Sequence, residues 1–154
     1  MRKLEVANEL LLTEVTELLR KGEQVLLKVK GNSMLPYIVG WRDSVKLKRF
    51  DSYSKFDVVL ARTSMGVYVL HRIIDISEDN VVLMGDGNIK GVELCKLADI
   101  SGRVVEVIKG AKVIDYNTKS VKRKGCIWYM LRPLRRYILA IYRRVSKNYY
   151  KINK

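Results

Sequence analysis

The chain has 154 residues, 48% hydrophobic and 30% charged, with a formal net charge of +14. That is the length and composition of one globular domain with additions at its ends, which excludes two ordinary domains or a disordered chain. Cys95 and Cys126 stand far apart with no histidine beside them, so neither a zinc site nor a disulfide framework is expected.

The first predicted element is an amphipathic helix over 4–21, from the spacing of Leu4, Ala7, Leu11, Val15 and Leu18 and a stop at Gly22. Charged residues occupy the position where a secretory signal needs an apolar run, so no export is expected. From Gln24 onward, short β-type runs fall at 25–30, 44–48, 58–62, 67–74, 80–84 and 102–107, separated by Gly, Asp, Asn and Ser. This spacing predicts a mainly β fold, a small antiparallel sheet curled into a barrel or sandwich, over 24–115. The helix occupies 1–23.

The last segment, 116–154, is of a different kind: it holds twelve Lys/Arg and no Asp/Glu, whereas 1–115 holds eighteen Lys/Arg and all sixteen acids. Its polar start reads as a linker. Beyond it, Pro133 suits a first helical position, with Leu134, Ile138, Ile141 and Val145 on one stripe and Arg136, Arg143 and Lys147 opposite. Such a helix either docks on the domain's own core or lies on a surface. The tyrosines and tryptophan among its cations (Trp128, Tyr129, Tyr137, Tyr142, Tyr149, Tyr150) favour an anionic membrane surface, met through residues 126–150. Nucleic acid is the third reading, without a recognised binding motif, and no specific nucleic acid is expected. No stretch approaches the roughly 20 apolar residues of a membrane span.

The segment that points to chemistry is Gly31-Asn32-Ser33-Met34-Leu35-Pro36, after a predicted strand. Thirty-eight positions later a strand-like run leads into His71-Arg72-Ile73-Ile74, which holds the only histidine of the chain, and Met84-Gly85-Asp86-Gly87-Asn88 follows the next strand. Each has a plain structural alternative: a turn, a core histidine, an Asp-Gly hairpin. In this order, however, the three resemble the boxes of the signal peptidase and self-cleaving repressor superfamily of serine peptidases, with histidine as base as in the archaeal and endoplasmic-reticulum type. Lys55-Phe56-Asp57-Val58-Val59 is similar to that superfamily's G-D-V-V segment with Phe in place of Gly, and the likeness extends over about 24–108.

The resemblance implies a signal-peptidase-like fold with Ser33 as nucleophile and His71 as general base, a base that titrates near neutrality without the large shift a lysine needs. Asp86 is the expected third member, with Glu93 or a plain dyad as alternatives, because the later Asp-Asp pair of the endoplasmic-reticulum type is missing and Glu93 is the only acid in its place. The Ser33 N–H and Asn32 are the expected oxyanion donors. The implied function is an endopeptidase acting on a leader or precursor peptide, with no cofactor or metal, cytoplasmic and peripherally held at the inner face of the membrane. Regulation by self-cleavage is not expected, since one helix before Gly22 leaves no room for a DNA-binding module. The rival is a non-catalytic module that retains the fold and binds lipid or a partner.

Overall fold

A computed structural model of the chain describes the backbone of residues 2–152 and the side chains of 9–147. Helix α1 (Arg2–Arg20) is followed by strands β1 (Val25–Lys28), β2 (Ser44–Lys48), β3 (Val58–Arg62), β4 (Tyr68–Ser77), β5 (Asn80–Met84), β6 (Glu93–Lys96), β7 (Ile100–Lys109) and β8 (Lys112–Asp115), then by helices α2 (Lys119–Met130) and α3 (Arg132–Ile152). The fold is mainly β. All strand pairs are antiparallel, in the order β1-β2-β7-β3-β4-β5-β6, with β8 also on β7. One edge of β7 lies along β2, while its other edge is shared between β3 near its start and β8 near its end. The sheet curls into a half-barrel rather than a closed barrel or a sandwich.

Alternation explains why the sheet has two cores. A strand's successive side chains point to opposite faces. In β3, Val58 and Leu60 enter one apolar cluster with Val45, Leu47, Val104 and Val107, whereas Val59 and Ala61 enter another with Ile73, Val81, Leu83 and Ile100. Helix α1 covers the first cluster with Val15 and Leu19, and its Thr16 hydroxyl bonds Ser101 at 2.8 Å. The buried stripe is therefore turned by about one residue from the expected one: Leu11 and Leu18 are exposed, and the side chains of Leu4 and Ala7 lie outside the described residues. Gly22, at φ +87°, ends α1, and its N–H and that of Glu23 bond back to Leu19 and Leu18.

The expected linker is helical. Thr118 caps α2 by accepting from the Val121 N–H, and the run 119–124 forms its first turns. The reason is what the helix carries: Trp128 and, from α3, Leu139 are buried against Leu35, a third cluster that covers the end of the half-barrel. Burying an aromatic and a leucine stabilises by about 2–3 kcal/mol each, more than a polar first turn costs. The C-terminal segment is thus part of the folded domain. Among the described residues no helix is long and apolar enough to cross a membrane.

Candidate active site

The Gly31–Pro36 segment lies on the long connection between β1 and β2, whose path is closed by backbone contacts and one buried acid. Val29 N–H donates to the Asp43 carbonyl and Trp41 N–H to the Val29 carbonyl, and Gly40 passes so close to Gly31 that a Cβ would overlap the Gly31 carbonyl. Asp43, fully buried, ties the connection off: its carboxylate accepts from the Val39 N–H at 2.8 Å and from Arg42 at 2.7 Å, with Lys109 3.7 Å away. Burial pushes the Asp43 carboxyl upward, but those hydrogen bonds and cations outweigh it and hold the group below its ordinary range.

The second wall is the 85–88 loop after β5. Gly87 N–H donates to the Ser33 carbonyl at 2.8 Å, and a Cβ on Gly85 would overlap that same carbonyl. Two of the boxes separated by some fifty residues in the chain are therefore in backbone contact, and the glycines are what permits it. Ser33 is half-buried and Asn32 exposed. The Ser33 N–H donates no hydrogen bond among the described residues.

His71 and Arg72 follow one another on β4 and so project to opposite faces, where each meets a carboxylate. Arg72 takes Asp86: Nε to Oδ1 at 2.8 Å and Nη2 to Oδ2 at 2.7 Å, both side chains buried. Its Nη1 donates to the Phe56 carbonyl at 3.0 Å, and Gly125 of α2 lies against the guanidinium where a Cβ would collide. Burial works against the Arg72 charge, yet Asp86 raises its pKa above the ordinary value. Around this pair, Trp128 Nε1–H donates to the Asp86 carbonyl at 2.8 Å, and Arg135, lowered chiefly by burial, reaches the Asn88 carbonyl at 2.9 Å. Tyr37 packs edge-on against Trp128, and Tyr116, partly buried near Arg72, has its phenol pushed up to about 12 by desolvation.

His71 takes Glu93 instead, with Nδ1 and Oε2 2.9 Å apart. In the register that sets Arg72 opposite Met84, His71 faces position 85, one residue beyond the end of β5, so no strand residue separates it from Glu93 on β6. An ionised carboxylate only accepts, so the imidazole is the donor in this contact, through Nδ1. Of the two expected acids, Asp86 has both oxygens committed to Arg72, and the one bonded to the histidine is the alternative, Glu93. Among the described residues no hydrogen bond joins the Ser33 hydroxyl to His71.

An apolar groove of about 260 Å³ lies between the 27–30 stretch, which precedes Ser33 in the chain, and the 68–70 stretch, which precedes His71. Leu11 and Leu12 of α1 close one side of it. The 55–59 segment contributes structure: Phe56 sits at φ +73°, the left-handed region that favours glycine. Asp57 beside it is buried and bonded to the Ser54 N–H at 2.9 Å. Among the described residues no group of histidine, cysteine and acidic side chains could hold a metal ion.

Asp43, Arg135 and Trp128 escaped the sequence reading as parts of this site. An acid that closes a loop leaves no periodic signal, and Arg135 lies within a run of surface-type cations. Compared with known proteins, the chain matches no family model and no curated protein.

Proposed function

We propose that the protein is a serine endopeptidase of the signal-peptidase-like type that cleaves a leader or precursor peptide, with Ser33, His71 and Glu93 as its working groups. The observation that carries this reading is the 2.9 Å bond between Glu93 and the chain's only histidine, which orients a base whose other nitrogen is left for a proton. In the reaction, Ser33 Oγ attacks the substrate carbonyl carbon and its proton passes to His71 Nε2. Glu93 stabilises the imidazolium so formed, and the Ser33 N–H, with Asn32 beside it, faces the developing oxyanion. Collapse of this intermediate breaks the C–N bond, the amine leaves with the proton from His71, and water then releases the acyl group by the same steps reversed.

The groove supports an extended substrate. It follows strand β1, which is an edge of the sheet, and its apolar walls suit apolar side chains upstream of the cut bond. The enzyme's place, on this reading, is the cytoplasmic face of a membrane, where such precursors arrive. A non-catalytic binding module is favoured by one observation, the lack of a Ser33–His71 hydrogen bond. In the peptidase reading that contact tightens when substrate fills the groove, as catalytic hydrogen bonds commonly do.

The test is cleavage of a library of extended peptides at neutral pH, with products identified by mass spectrometry, for the wild type, Ser33→Ala and His71→Ala. Cleavage by the wild type that is lost in both folded variants supports the peptidase. Cleavage that persists in Ser33→Ala, or none by the wild type, favours the binding module.

A further inference from the structure

Helix α3 has three faces where the sequence suggests two. Arg135, Leu139 and, in part, Ile138 and Tyr142 face the domain, with Leu139 fully buried. A second sector carries Arg136, Arg143 and Lys147, all exposed. The third is apolar and points to solvent: Leu134, Tyr137, Ile141 and Val145, spaced three or four residues apart, are 53%, 60%, 64% and 63% exposed. Of the predicted apolar stripe, only Ile138 is used in packing; the rest is left over. Tyr149 and Tyr150, also expected on this surface, have side chains outside the described residues.

An apolar stripe left in water along a helix that is already anchored calls for an occupant. Charge selects it. The segment 116–154 holds twelve cations and no acid, so a second copy of this chain would bring like charges together, whereas an anionic surface would not. Next to α3, an open cleft of about 690 Å³ continues the same chemistry, with Ile89, Val92 and Met130 beside Lys90, Arg132 and Arg136. An apolar stripe with a basic sector across the helix from it is the pattern of a helix lying in a bilayer interface, its apolar side at the acyl boundary and its cations among the headgroups.

We propose that the solvent-facing side of α3 docks the protein on an anionic phospholipid bilayer, inserting Leu134, Tyr137, Ile141 and Val145 and pairing Arg136, Arg143 and Lys147 with headgroup phosphates. This deepens the membrane placement in the proposed function, but it does not depend on catalysis. The inner face of the same helix stays on the domain through Arg135 and Leu139, so docking needs no unfolding of the active-site loop.

The experiment is sedimentation of the full-length protein with phosphatidylcholine vesicles and with mixed phosphatidylcholine–phosphatidylglycerol vesicles. Wild type and Ser33→Ala are expected to bind the anionic vesicles equally, more weakly in high salt, and to ignore the neutral ones. Arg143→Gln with Lys147→Gln should weaken binding roughly 30-fold, as expected for two lost headgroup contacts. Ile141→Asn with Val145→Asn should weaken it as well; these positions are exposed, and circular dichroism would verify that the variants fold. No sedimentation of the wild type at low salt would overturn the proposal, as would unchanged binding by either double variant. Binding to a single-stranded oligonucleotide, without vesicle binding, would assign the surface to nucleic acid instead. If vesicles bind but no peptide is cleaved, the docking surface stands and the peptidase reading falls.

Discussion

Two neighbours on β4 carry the two halves of the argument. Arg72 and Asp86 form a bidentate pair from which solvent is almost excluded, surrounded by Tyr37, Trp128 and Arg135; His71 and Glu93 form a single contact, with the glutamate about a third exposed. The first arrangement satisfies every charge-bearing oxygen and leaves nothing for a substrate. The second engages one imidazole nitrogen and, among the described residues, leaves the other without a hydrogen bond. A carboxylate near Ser33 is therefore not by that fact a catalytic one, and the difference lies in what its partner has left to give.

The comparison breaks most visibly at Glu93. On the proposed reading, Glu93→Gln keeps the shape and removes the charge that stabilises the imidazolium, so kcat should fall by about four orders of magnitude. Thermal melting should move little for this partly exposed side chain. A variant that melts early but cleaves normally would reverse the assignment. Asp86→Ala should show the opposite pattern, a stability loss of about 3–5 kcal/mol in chemical denaturation, because it strands the buried Arg72 charge. Loss of activity without loss of stability at Asp86 would restore it as the orienter.

Asp43→Asn tests whether the nucleophile connection depends on a charge. Leaving its donors poorly paired should cost about 1–3 kcal/mol at neutral pH. The folded-state pKa of Asp43 is lowered, so its contribution is present above the unfolded-state value and lost as pH falls through the folded one. The gap between wild type and variant should accordingly close in acid, and a gap that persists there would show that shape rather than charge is what Asp43 supplies. The smallest effect concerns the thiols. Cys95 is buried with its pKa pushed up to about 11 by desolvation, while Cys126 is partly exposed. An alkylating reagent at neutral pH should modify Cys126 and spare Cys95 until the protein is unfolded; equal labelling would mean that the β5–β6 side of the sheet opens readily.

Much of the fold was legible in the chain. The runs at 44–48, 58–62 and 80–84 coincide with β2, β3 and β5, because turn residues bracket apolar β-branched stretches there. Strands β6 and β8 were missed: ELCK and KVID are four residues each, too short for alternation to show, and they exist because a longer neighbour offers an unpaired edge. The linker reading failed because cations near Thr118 look solvated in sequence, while Gly125 and Trp128 decide where that helix must lie.

The sequence by itself determined the local order: which runs are strands, where glycines allow two backbones to meet, and that Ser33, His71 and an acid occur in one succession. Periodicity also located the apolar stripe of α3. Only the tertiary structure decided which acid meets the histidine, since Asp86 and Glu93 are both carboxylic acids seven positions apart, and the folded chain puts one on Arg72 and the other on His71. It likewise decided that α3 packs through Leu139 and Arg135 and turns its best apolar stripe outward. Amphipathicity states that a face needs burial; the surface left uncovered by the rest of the chain determines what buries it.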